Sequence, residues 1–148
     1  DDDRREDYPH IAFDFLGYTF RPRRSKNRWG KYFINFSPAI SAKAAKGIRQ
    51  RSRRWCWPVR SDKSLEDLSR MFNPIIQGWI NYYGRYYKSA LYPTLLQLDR
   101  RLVRWATRKY KRLRGHRRRA EHWLHRIAKR QPGLFAHWRL LHRATAGQ

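Results

Sequence analysis

Between Pro93 and Gly115, Leu95, Leu98, Leu102, Trp105, Ala106 and Leu113 recur at the spacing of one helix face. At about 100° per residue they share one arc, and Arg100, Arg101, Arg104, Arg108, Lys111 and Arg112 fall on the opposite one. A helix divided in this way has to bury its apolar side against other elements. The spacing therefore predicts a helix over 93–115 set in a multi-helix core. Lys109 interrupts the apolar arc and has to carry its ammonium to the edge.

Other helices follow from their boundary residues. Ser41 reads as the cap of a helix carrying Lys43, Lys46, Arg49, Arg51, Arg53 and Arg54, which Trp55, Trp57 and Pro58 end. Ser64 and Asp67 fit a capping box at the head of a helix through Leu65, Leu68 and Phe72. Pro74 lacks a backbone donor, so the reading breaks the chain there, with Asn73 as cap and Pro74 opening a new helix to about Tyr87. A further helix is expected from about Arg117 to Arg130, and "LFAHWRLLHR" as one more turn. Upstream, Phe13 to Phe20 reads as a strand, "RPRRSKNRWG" as a basic turn and "KYFINF" as a second strand. The expected fold is mainly α: a helical bundle preceded by one β-hairpin.

The charge says what such a bundle meets. The chain has 148 residues, 41% of them hydrophobic, with a formal net charge of +24 and a pI near 11.4. Self-repulsion on that scale opposes compaction and calls for a polyanionic partner. No run approaches the roughly 20 apolar residues of a membrane span. Nucleic acid is the expected partner and a membrane is not. The chain opens at Asp1 and its one Met is Met71, so it reads as the C-terminal piece of something longer.

Between Pro93 and Arg119 the only acid is Asp99. Charged surfaces usually mix both signs, and a one-signed stripe suits a phosphate backbone. The hairpin loop adds Arg21, Arg23, Arg24, Lys26 and Arg28. In "NPIIQGWINYYGRYYKSALYP", Trp79, Ile80 and Tyr83 lie at helical spacing and read as core. Tyr82 and Tyr86, near Arg85 and Lys88, lie on another side and offer rings or hydroxyls to RNA. Gly78 and Gly84 are costly inside a helix and suggest close backbone approach. His116, His122 and His125 with the lone Cys56 do not make a zinc set. Asp1, Asp2 and Asp3 have no strand around them to build a two-metal site. Nor is there a phosphate-binding glycine loop or an activated nucleophile. By itself the segment reads as a binder without catalysis.

Three stretches, "FDFLGYTFRPR", "SLEDLSRMFNPIIQGWINYYGRYY" and "LDRRLVRWATRKYKRLRG", in that order, resemble the C-terminal part of bacterial group II intron-encoded reverse transcriptase/maturases. The resemblance covers nearly the whole chain. Its most specific part contains Asn73, Pro74, Gly78, Trp79, Asn81 and Tyr83, similar to the core of the maturase-specific domain, or domain X. "FLGYTF" resembles the last block of the polymerase palm. The resemblance implies palm end over 1–38, domain X or thumb over 39–115, and a basic helical extension over 116–148. It implies binding to group II intron RNA and to an RNA/DNA template–primer, with fingers and palm upstream, in the bacterial cytoplasm. The full polymerase would use Mg2+ held by aspartates of a Tyr-x-Asp-Asp motif, which this chain does not contain. A free-standing basic structural RNA-binding protein is the alternative reading. A DNA-binding regulator is a third, but no compact helix-turn-helix is apparent.

Overall fold

The computed structural model describes residues 13–20, 23–26, 28–35, 38–55 and 62–146. Five α-helices lie among them: α1 (Ala42–Ser52), α2 (Leu65–Tyr83), α3 (Tyr92–Lys109), α4 (Arg117–Arg130) and α5 (Ala136–Ala146). Short strands precede them: β1 (Phe13–Phe15), β2 (Tyr18–Phe20), β3 (Arg23–Lys26), β4 (Tyr32–Asn35) and β5 (Ala39–Ile40). The fold is a helical bundle preceded by a β-hairpin, as expected. No helix of the described residues is long and apolar enough to cross a membrane.

The strand region is more divided than expected. Phe13 to Phe20 is not one strand: β1 turns back on β2 in register Phe13↔Phe20. Leu16 and Gly17, at φ 54° and 85°, make the two-residue turn. Positive φ at both positions matches the twist of paired strands, which is why such turns close hairpins. β5 pairs with the other edge of β2 and runs into α1. The basic segment expected as loop supplies β3, which pairs with β4 from Arg23↔Asn35 to Lys26↔Tyr32. Arg21 and Asp1 to Asp3 lie outside the described residues, as do Cys56, Trp57 and Pro58.

The two caps form as their residue types dictate. Ser41 Oγ accepts from the Ala44 amide at 3.1 Å at the head of α1. Ser64 and Asp67 exchange both capping-box bonds at 3.0 Å. Pro74, however, does not break the chain, because α2 runs unbroken from Leu65 to Tyr83 with Pro74 inside it. Nor does Asn73 cap its own helix. Its Oδ1 accepts from the Ala136 amide at 2.9 Å and its Nδ2 donates to the Leu134 carbonyl at 2.9 Å. It thus caps α5 from across the bundle. Buried Leu68, Phe72, Ile76 and Ile80 hold one face of α2 on both sides of the proline. Their burial outweighs one missing backbone bond.

α3 packs against α1, α4 and α5. Its Leu95, Leu98, Leu102, Trp105 and Ala106 are buried, as their spacing predicts. Ile80 is also buried, while Trp79 and Tyr83 pack against the core half-buried. Trp79 stacks on Trp55, which stacks in turn on Phe72, at centroid distances of 5.2 and 4.2 Å. The segment expected as one more turn is the 11-residue α5. With the residue before it, α5 brings Phe135, Ala136, Trp138 and Leu140 into the same core.

Candidate nucleic-acid interface

Arg100, Arg104 and Arg108 are all exposed on α3, spaced one helical turn apart. Arg101 departs from the expected arc and is half-buried. At about 100° per residue it stands only ~40° around the helix from Trp105, nearer the buried side than Arg100, Arg104 or Arg108. Lys111 and Arg112 are exposed but not on α3. The helix ends at Lys109, Tyr110 is extended, and the two cations lie on a 3-10 turn, Lys111–Leu113. The Tyr110 ring meets Trp105 and Trp123 at 6.0 and 5.3 Å. That contact turns the chain toward α4 before the helical pattern in the sequence runs out. Lys109 reaches the edge of the core, where its ammonium donates to the Lys63 carbonyl and lies 5.4 Å from the Trp105 ring.

Asp99, the one acid of this stretch, is turned toward α5. Its Oδ1 lies 2.7 Å from His137 Nε2 and accepts from Trp138 Nε1 at 2.8 Å. His137 is fully buried, and among the described residues its Nδ1 has no hydrogen-bond partner. Asp99 therefore helps to fix α5.

On the other side of that face a cleft of about 500 Å³ opens between α3 and the start of α4. Arg100, Arg104, Val103 and Thr107 line one wall, and His116 and Arg117 the other. His116 and Arg117 were not among the RNA-binding residues expected from sequence. Only the fold-back at Gly115, at φ 76°, brings them opposite α3. No side chain caps the start of α4, so its free amides add positive potential there. Arg117 donates to Glu121 at 3.2 Å, and both side chains are largely exposed.

α1 exposes Lys43, Lys46 and Arg51, then Arg53 just past its end, while Arg49 is half-buried. Exposed Arg28 stands 4.3 Å over the ring of exposed Trp29 between β3 and β4. The backbones of Arg23, Arg24 and Lys26 lie in β3 itself.

The tyrosines at the end of α2 separate as the sequence implies, with one addition. Tyr82 and Tyr86 are exposed, as are Arg85 and Lys88. Both rings lean on Tyr18 of β2, at 5.2 and 5.9 Å. Burial, then the neighbouring Tyr82 and Tyr86, push the Tyr18 phenol up, which keeps it neutral. Tyr82 donates to the Leu16 carbonyl at 2.7 Å, so the strained turn docks on the end of α2. A Cβ at Gly17 would stand 2.9 Å from the Tyr83 ring, which makes Gly17 a glycine of close approach. Gly78 is not: a Cβ there meets nothing within 4 Å. Gly84 ends α2, where a Cβ would fall 2.6 Å from the Ile80 carbonyl oxygen. Asn81 is exposed and accepts from Gln77 at 2.9 Å.

Residues 45–123 match the family model of the group II intron, maturase-specific domain. The matched span runs from within α1 to within α4 and takes in all of α2 and α3. No curated protein and no solved structure matches the chain.

Proposed function

This chain belongs to the family of group II intron maturase-specific domains, and from that premise we propose that the arginine face of α3 grips the phosphate backbone of the intron RNA. Maturase function in group II intron splicing comes with the family; direct contact with the RNA is the step added here. One observation carries it. Arg100, Arg104 and Arg108 stand outward on one helix while the only nearby acid in sequence, Asp99, is engaged by His137 and Trp138. Cations held close together repel one another until a polyanion neutralises them. Each phosphate so neutralised releases counterions and adds salt-sensitive affinity.

The exposed cations of α1 and those between β3 and β4 extend the same chemistry to a longer backbone. Arg85, Lys88 and the rings of Tyr82 and Tyr86 suit an unpaired stretch. In a longer reverse transcriptase the same surface would serve the RNA/DNA template–primer. The Mg2+-binding carboxylates of that reaction belong upstream, so in this reading the present segment binds and does not polymerise.

Filter binding of a structured intron RNA across a salt series tests the reading. Replacing Arg104 and Arg108 together by Gln removes two phosphate contacts and should flatten the log–log salt slope by about 1–2 units. Helix content by circular dichroism should hold, because Gln is nearly as good a helix former as Arg. An unchanged slope in a folded double variant would move the interface away from α3 to the β3–β4 hairpin with Arg28.

A further inference from the structure

The α3–α4 cleft has a shape that a backbone-tracking surface does not need. Counterion release asks only for exposed cations. A concave site of about 500 Å³ falls in the size range of small-ligand pockets, roughly 300–1,000 Å³. Its floor and rim differ in chemistry. Half-buried Arg101 also lines the cleft, and Val103 on the floor is aliphatic and nearly closed to solvent. Thr107 beside it directs its hydroxyl proton to the Arg104 carbonyl at 2.7 Å, so the floor offers that proton to no ligand. The rim carries Arg100 and Arg104 on one side and His116 and Arg117 on the other. The complementary ligand has a flat, weakly polar body and an anionic edge. Guanidinium groups suit both parts, forking onto phosphate and lying flat on bases.

We propose that this cleft seats a single unstacked nucleotide, its phosphate at the arginine rim and its sugar and base over Val103. The inference rests on the RNA-binding reading above and adds to it the recognition of a flipped or bulged position. The Arg117–Glu121 pair at 3.2 Å lays one rim guanidinium alongside α4.

The test uses the whole chain and two RNA hairpins that differ only by one bulged nucleotide, together with adenosine and uridine monophosphates and inorganic phosphate. The bulged hairpin should bind about tenfold tighter than the paired one, the scale of one accommodated base. The monophosphates should bind saturably and more tightly than inorganic phosphate. Thr107→Phe fills the cleft without changing charge, and should erase both preferences while the salt slope of the paired hairpin stays. Thr107→Leu, a smaller change, should weaken them if the phenylalanine variant does not fold. Paired and bulged hairpins bound equally by the unmodified chain would overturn the cleft proposal and leave the arginine face standing. A bulge preference that survives in folded Thr107→Phe would do the same. Failure to bind either hairpin would overturn both readings. Equal affinity for the monophosphates and inorganic phosphate would reduce the cleft to an anion site without a place for the base.

Discussion

Three residues do work that their types alone do not announce. Asn73 caps α5 with its amide oxygen while its amide nitrogen donates to the Leu134 carbonyl just before the helix. Asp99 accepts from the Trp138 indole while in contact with fully buried His137. Leu16 holds a left-handed backbone, and its carbonyl is met by Tyr82. Each partner is tens of residues away, so local propensity is silent about it. Trp105 is the opposite case: its place on the apolar arc predicts burial, and it is 1% exposed. Trp105→Ala should cost about 3–5 kcal/mol on denaturant titration, as large aromatic deletions in packed cores do. A loss below about 1 kcal/mol would contradict its place in the core.

Among the elements, α2 shows best how local signals and packing divide the decision. Its start is set by the capping box, which is local and readable. Hydrogen bonds from the Ser64 backbone, then from the Ser64 side chain and Arg70, hold the Asp67 carboxyl below its ordinary value. A carboxyl with a depressed folded-state pKa stabilises the fold fully above its unfolded pKa, and the contribution is lost as pH falls through the folded one. The first turn of α2 should therefore loosen on acidification through and below the usual carboxylate range. The Ser64 and Asp67 amides, followed by hydrogen exchange against pH, should report it. In Asp67→Ala the first-turn exchange should lose that acid-dependent step, and an identical step in the variant would place the titration elsewhere. The middle of α2 is not local at all. Pro74 argues for a break, and the burial on either side of it overrides the argument.

At the scale of the molecule, a net charge of +24 has to be held by one core shared among five described helices. α5 closes it: Phe135, Ala136, His137, Trp138 and Leu140 are all buried. A chain stopped after Gln131 would leave α2 and α3 with an open apolar side and Asp99 without its two partners. It should lose cooperative unfolding, seen as a broadened urea transition with a smaller m-value. A transition as sharp as that of the full chain would show that α5 is an appendage.

Helical class, the caps at Ser41 and Ser64, the buried arc of α3 and the basic character of its other side were all legible in residue spacing. Periodicity reports which side of a helix must leave water, and a cap is settled within four residues. Where α3 ends, how far Arg101 is covered, which helix Asn73 caps and what faces Arg100 across the cleft depend on contacts between distant segments. Those depend on how α4 and α5 fold back over α3. Tyr110 between two tryptophans and Gly115 at positive φ set that path through packing, which spacing along the chain does not encode. The sequence therefore carried the charge and the amphipathic faces, and packing turned a stripe of arginines into one wall of a cleft.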